Sequence, residues 1–374
     1  MSRLNINNLT NENEDGSPRI SGISTFSSPY YFVPPSGTTA ERPSDPGEGM
    51  IRFNTDIGRL EVWRGDHWAT ILGESPNLGN QLVTNSAGGT GARGVIGGGF
   101  DPSALDVIEY ITISTLGNSQ DFGNLTQARG QCGALASRVR GVWGGGAGAP
   151  AVDTIDYITI SSTGDALDFG NLIGNRKEIA GLSNETRGIF MGGGTSEISY
   201  ITIASTGDAK DFGDLESTNT SLNFAAASPV RGVIAGGATV DTIRYVTIST
   251  TSNSEDFGNL TDSRYAGAGL SNSTRAVFGG GWAPNVTNLI DFITIATTGN
   301  AQDFGDLTAA GYGMFGYGSS PTRGVFGPRS TNPGPLINTL DYVELLSTGN
   351  AIDFGDALAA KSDGAGFSNG HGGL

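Results

Sequence analysis

An all-β chain organised as a six-bladed β-propeller is the fold this sequence predicts, and three observations lead to it. A unit of about 45 residues recurs six times. Each copy divides into four short strand-like segments, and no stretch sustains a 3.6-residue apolar period. Composition suits a folded, turn-rich β chain. Of 374 residues 60 are glycine, without a collagen triplet, and 37% are hydrophobic, with 17 Phe and 10 Tyr.

Charge and residue usage exclude several classes. The formal charge is −16 and the isoelectric point near 4.4. An acidic surface repels phosphate, so neither a nucleic acid nor an anionic membrane surface is an expected partner. No run approaches the ~18 apolar residues of a membrane span, so no membrane insertion is expected. One cysteine, Cys132, and two histidines, His67 and His371, exclude a disulfide framework and a Cys/His zinc site. Residues 1–15 carry no apolar signal core, so the chain is expected to stay in the cytoplasm or leave inside an assembled particle.

Along the chain, residues 1–48 have no repeat and are rich in Asn, Ser and Pro, which reads as an extended N-terminal arm. Residues 49–75 read as a small β-meander. MIRF (50–53), RLEVW (59–63) and HWATIL (67–72) are its strands, with NTDIG and RGDH as the turns between them. Strands this few and short bury too little surface to fold alone. They require a trimer, a docking partner or the repeat region.

The repeats occupy 91–374. Each opens with an apolar run ending in glycines: RGVIGGG from Arg93, RGVWGGG from Arg140, RGIFMGGG from Arg187, RGVIAGG from Arg231, RAVFGGG from Arg275 and RGVFGPR from Arg323. An aromatic strand follows, EYITI, DYITI, SYITI, RYVTI, DFITI and DYVEL, centred on Tyr110, Tyr157, Tyr200, Tyr245, Phe292 and Tyr342. Its period-2 alternation puts the aromatic and Thr on one face and the aliphatics on the other. A Gly-Asn or Gly-Asp turn then leads to Asp-Phe-Gly at Asp121, Asp168, Asp211, Asp256, Asp303 and Asp353, spaced 43–50 residues apart. A small-residue strand such as GALAS or AGLSN completes the unit. The chain enters the first unit at its glycine strand and closes with GAGFSN. Residues 364–369 are therefore expected to supply the strand the first blade lacks, removing an exposed edge. The Phe of each triplet and the Tyr of each aromatic strand are expected between blades. Each triplet Asp is expected to bond nearby backbone or turn groups, and each Arg-Gly arginine to pair with such an Asp.

The glycine pair closing one strand, the aromatic on the next and the aromatic before a short apolar stretch resemble the kelch repeat. There the corresponding positions are Gly-Gly, Tyr and Trp. The resemblance covers roughly 91–369. It departs from kelch in every copy, because Phe stands for Trp, and copy six replaces the glycine run with Gly327-Pro328-Arg329; the chain is kelch-like. Separately, Arg42-Pro43, the GMIRFNT segment from Gly49 to Thr55, and Trp63 to Trp68 resemble a β-meander common in structural proteins of tailed bacteriophages, often tail fibres. That resemblance implies a virion protein assembled in the host cytoplasm. Met50, Phe53, Trp63 and Trp68 would then lie in the segment that attaches it to other virion proteins, and a homo-oligomer such as a trimer fits the fibre likeness.

Chemistry is harder to find. The Asp-Phe-Gly triplets come without a kinase His-Arg-Asp or Val-Ala-Ile-Lys, and the glycine-rich stretches lack a Gly-Lys-Ser/Thr. His67 in a turn and His371 in the tail suit no triad. STGDALDFG lacks the order and the Trp of a sialidase Asp box. No catalytic residue, cofactor or metal is assigned. Calcium in the recurring Asp and Asn turns stays open beside the plainer turn reading. Of the variable connections, the last two carry Trp282 and Arg329, which are the candidate ligand or partner contacts. The expected function is a non-enzymatic virion protein, anchored by its N-terminal segment and displaying the propeller for host-surface attachment or decoration of the tail or capsid. A carbohydrate-binding, lectin-like propeller is the alternative, its partner a host surface glycan.

Overall fold

The computed structural model describes residues 34–70, 92–148, 150–217, 221–237, 240–282 and 284–374, and the chain divides after Ser75 into two compact units. Residues 1–33 of the expected arm, 71–75 of the expected meander and position 91, where the repeat region is expected to begin, lie outside the described residues.

In the first unit, Ile51–Asn54, Arg59–Trp63 and Trp68–Thr70 form the antiparallel meander. Ser36–Gly37, from the stretch read as arm, adds a parallel strand beside Ile51–Asn54. The two faces of this sheet invert the usual pattern. On one, Arg52 stands opposite Glu61, and Glu61 is fully buried. Its carboxylate accepts from Arg42 (Nε 3.1 Å, Nη2 2.6 Å), from Arg52 Nη1 (3.1 Å) and from Asn54 Nδ2 (3.2 Å). The Arg42 hydrogen bond holds the Glu61 carboxyl below its ordinary range against the opposing pull of burial. The other face pairs Ile51 with Val62 and Phe53 with Leu60; Ile51 is 48% and Leu60 37% exposed.

The second unit is all-β and propeller-like. Six four-stranded antiparallel sheets follow one another, for example Gly133–Ala136, Arg140–Gly144, Val152–Thr159 and Leu167–Arg176 in that order. One sheet takes its first strand from the far end of the sequence: Ala365–Ser368 pairs with Arg93–Gly97, Phe367 facing Val95. Numbering that sheet as one, the first strands of successive sheets touch, and the first strand of sheet six touches that of sheet one.

The core is accordingly split. It consists of six apolar clusters, each drawn from two neighbouring sheets, such as Phe122, Leu125 and Phe367 of sheet one with Trp143, Ile158 and Ile160 of sheet two. Within every sheet the triplet Phe, about 2% exposed in each copy, meets the aromatic of the third strand edge-on at 5.9–6.2 Å.

The Gly of Arg-Gly is explained by the sheet before it. A Cβ at Gly141 would stand 1.9 Å from the Phe367 ring, and one at Gly232 2.3 Å from Leu182 Cδ1. The one copy with alanine, Ala276, follows the one sheet whose first strand offers Ala226 at that position, and both lie in the same cluster. Large faces small at each seam, or small faces small. Gly232→Ala should therefore cost about 1–3 kcal/mol by overpacking, and Leu182→Ala about 2–5 by cavity formation. Combined, the two changes recreate the Ala226–Ala276 pairing. The double variant should be more stable than the sum of the singles by at least about 1 kcal/mol in a urea-unfolding cycle. Strict additivity would sink this account.

The expected Arg–Asp pairing is not what forms. The triplet aspartates are exposed on the fourth strand, whereas the arginines sit on the second, and the aromatic third strand lies between them. Each guanidinium lies 4.4–4.6 Å from the centre of its own sheet's aromatic ring, as Arg93 does over Tyr110 and Arg275 over Phe292. It then donates through Nη1 to a carbonyl of the next sheet: Arg93 to Ile160, Arg140 to Ile203, Arg187 to Ile248, Arg231 to Ile295, Arg275 to Leu345 and Arg323 to Ile113, at 2.8–3.2 Å.

The triplet Gly carries the second link between sheets. Its φ is +144° to +148° in all six copies, and a Cβ on Gly123 would stand 2.4 Å from the Gly164 carbonyl of the next sheet's turn. The Asn or Asp of that turn accepts from the backbone N–H just after the triplet. Asn124 thus donates to Asp165 Oδ1 at 2.9 Å, Asn259 to Asn300 Oδ1 at 3.1 Å and Asp356 to Asn118 Oδ1 at 3.0 Å.

Candidate functional site

Trp282 and Arg329, the two loop residues singled out by sequence, are placed differently. Trp282 is half-buried, bridges backbone-to-backbone with Tyr265 and packs edge-on against Tyr312 at 5.0 Å. Arg329 is fully buried; its Nη2 lies 2.8 Å from Asp341 and 3.2 Å from Thr308 Oγ1. A ligand could reach that guanidinium only by displacing the pair. In the N-terminal unit Met50 is exposed, Phe53 lies on the apolar face, and Trp63 and Trp68 pair across strands at 5.6 Å with Arg52 6.0 Å over Trp68.

Arg329 belongs to a set that the sequence reading passed over. The residue before the aromatic of the third strand is Glu109, Asp156, Ser199, Arg244, Asp291 or Asp341. The first, second, fifth and sixth are fully buried carboxylates with a cation against each: Lys361 on Glu109, Arg129 on Asp156 (2.9 Å), Arg264 on Asp291 (2.9 Å) and Arg329 on Asp341 (2.8 Å). Threonine from the preceding sheet completes three of these sites, its hydroxyl 2.6 Å from the carboxylate: Thr126 on Asp156, Thr261 on Asp291, Thr308 on Asp341. Where the pattern changes, the partner changes with it. Ser199 accepts from Arg176 Nη2 at 2.6 Å, and Arg244 lies 3.6 Å from Glu216. The available signal was a basic residue eight positions after the triplet Asp, in step with an acid before the aromatic for Arg129, Arg264 and Lys361 and with Ser199 for Arg176. These carboxylates are saturated by their partners and serve the seams between sheets.

A concave feature of this unit lies where the six first strands meet. One end is ringed by Gln131, Glu178, Leu222, Ala266, Gly313 and Asp363, all with φ between +55° and +62°. Each donates its N–H to the carbonyl of the equivalent residue in the preceding sheet, from Gln131 to Asp363 (2.6 Å) round to Asp363 to Gly313 (2.7 Å), so that six backbone hydrogen bonds form a cycle. A cavity of about 110 Å³ opens inside this collar. Five non-glycine residues hold a left-handed backbone there, which marks the collar as tightly determined by its surroundings. Burial raises the Asp363 carboxyl, opposed by the Ser362 hydroxyl at 2.9 Å and by Gln131. Cys132 lies in the wall, but burial raises its thiol and keeps it from being a thiolate nucleophile. The collar has room for a few waters or a small polar group. Among the described residues no group of three or more His, Cys, Asp or Glu is arranged to hold a metal ion. The turn Asn and Asp side chains, the positions left open for calcium, cap backbone N–H groups of the neighbouring sheet.

The opposite end is ringed by buried serines, including Ser183, Ser271, Ser319 and Ser368, and a cavity of about 60 Å³ there has His371 in its wall. No protein-family model matches the chain, and no curated protein matches it.

Proposed function

We propose that the six sheets are the blades of a kelch-like β-propeller, closed by its last strand, and that the protein is a non-enzymatic structural component of a bacteriophage virion. The N-terminal segment attaches it to other virion proteins, and the propeller is a rigid platform for host-surface attachment or for decoration of the tail or capsid. The blade count and closure are supported by the cyclic order of first-strand contacts, the arginine links and the collar. The observation that carries the attachment reading is the inverted N-terminal sheet. Its charged face is spent on the internal Arg42–Glu61–Arg52 network, leaving Ile51, Phe53, Leu60 and Val62 as the side able to dock. Deleting residues 1–75 should leave a folded propeller, with a β-type far-ultraviolet spectrum and a cooperative thermal melt, that no longer incorporates into particles. Normal incorporation of the truncated protein would refute the anchoring role. The half-buried Trp282–Tyr312 pair is what favours the lectin-like alternative, since aromatics of this exposure stack on sugar rings. Saturable binding of host polysaccharide in calorimetry, lost in Trp282→Ala, would select it.

A further inference from the structure

The serine end of the central cavity is covered by residues 369–374, which touch all six sheets. Asn369 exchanges hydrogen bonds with Arg93 of sheet one: Arg93 N to Asn369 Oδ1 at 2.8 Å, and Asn369 N to the Arg93 carbonyl at 3.3 Å. A Cβ on Gly370 would stand 3.3 Å from the Ser319 carbonyl of sheet six. Gly372 donates to the Ser271 carbonyl of sheet five at 3.0 Å, and a Cβ on it would lie 2.5 Å from the Ala227 carbonyl of sheet four. A Cβ on Gly373 would fall 1.8 Å from the Ser183 carbonyl of sheet three. Only a glycine-rich segment can approach six strand ends this closely.

His371 fixes the segment to sheet two, and its two nitrogens have different jobs. Nε2 is 2.9 Å from the Ala136 carbonyl, which can only accept, so Nε2 carries the proton. Nδ1 is 3.1 Å from the Gly373 N–H, which can only donate, so Nδ1 presents its lone pair. The docked imidazole is therefore neutral and in one tautomer. A second proton has to go to Nδ1, where it would face the Gly373 N–H donor and break the bond that folds the segment back on itself.

We propose that residues 369–374 are an acid-released latch over this end of the cavity, docked while His371 is neutral and freed when Nδ1 takes a proton. The surroundings oppose that proton. Arg138, in the turn after the first strand of sheet two, is the cation acting on the ring, and its own partner is Glu185 of sheet three at 2.9 Å. Sheets four, five and six meet the segment through Ala227, Ser271, Asn272 and Ser319, none of them titratable. The Arg93 guanidinium of sheet one is held over Tyr110 and on the Ile160 carbonyl.

Burial lowers the His371 pKa from 6.5 to about 4, so docking is at full strength above about 6.5. It weakens as the pH falls from there through 4, reaching a loss of roughly 300-fold in the docking equilibrium only below pH 4, with the freed imidazole at its ordinary 6.5.

The test is hydrogen exchange of the full chain between pH 7.5 and 3.5, corrected for intrinsic rates. The amides of Gly372, Gly373 and Leu374 are followed against core amides such as Val142 and Phe190, with the ring signals of His371 read by NMR. Protection of the segment should fall across this range while the core stays protected, with His371 titrating well below the ordinary histidine value of 6.5. His371→Gln, which keeps an N–H donor and an acceptor but cannot titrate, should hold a pH-independent protection. Should that variant fail to dock, Arg138→Gln serves instead and should move the midpoint of release to higher pH. The proposal is overturned by segment protection that does not change with pH, by His371 titrating at the ordinary histidine value near 6.5, by core amides opening in parallel, or by no midpoint shift in Arg138→Gln.

Discussion

A chain truncated after Asp363 is expected to lose its cooperative fold. The deletion removes the first strand of sheet one, leaves Arg93–Gly97 as an open edge, and removes Phe367 from its tilted ring contact with Trp143 at 4.7 Å. It also orphans the buried Trp143 Nε1–H, which donates to the Ala365 carbonyl at 2.9 Å. Loss of the aromatic alone costs about 3–5 kcal/mol, and an unsatisfied donor about 1–3 more. A total near 5 kcal/mol or above reaches the whole stability of many proteins. Circular dichroism melting and size-exclusion chromatography should show an aggregated or already melted chain at 37 °C. Adding a peptide of residues 364–374 should restore a monomer with a concentration-dependent Tm. Cutting after Asn369 instead spares the strand and should cost far less. A monomeric protein of unchanged Tm after the first truncation would show that the strand does not close the ring.

The second large effect is expected at the seam between sheets one and two. Asp156 is fully buried and receives Arg129, the Thr126 hydroxyl and the Thr126 N–H (3.1 Å). Asp156→Ala strands the Arg129 cation in a site where it too is 0% exposed, and should destabilise the protein by about 3–5 kcal/mol in urea unfolding. Replacing both partners with apolar residues of similar volume, Arg129→Met with Asp156→Leu, should recover most of that loss, because no uncompensated charge is left behind. By contrast Glu185→Ala, which breaks the half-exposed Arg138–Glu185 pair, should change stability by under about 1 kcal/mol. Equal effects at the two sites would contradict the assignment of the buried pairs as seam elements.

The repeats were legible because the physics that shapes each strand is local. Alternation in YITI, the apolar run of RGVxGGG and the Gly-Asn turn each report on a few neighbouring residues, and six copies repeat the report. The meander was legible for the same reason: strands lie at Arg59–Trp63 as RLEVW, one residue on from MIRF at Ile51–Asn54, and at Trp68–Thr70 within the described part of HWATIL. The candidate site was not. Arg329 stands out in a sequence because it interrupts a glycine run, yet it compensates for Gly311, which stands where other units carry the basic residue; a Cβ there would sit 2.6 Å from Arg329 Cδ. His371 reads as a stray histidine in a polar tail, and only the convergence of six strand ends makes it a half-buried hydrogen-bonding hub.

By itself the sequence determined strand content, the six-fold repeat, the turn chemistry and the pairing of first and last strands, all of which follow from short-range periodicity and from counting strands. Only the tertiary structure decided which partner each charged group takes. Arginine and the triplet aspartate recur in step, but the aromatic strand separates them, so the arginine turns to the ring beside it and to a carbonyl across the seam. The acid before that ring turns inward to a cation from the neighbouring sheet. Spacing along a chain measures membership in a unit; burial and distance across a seam decide which charges meet, because desolvated ions must pair where they lie.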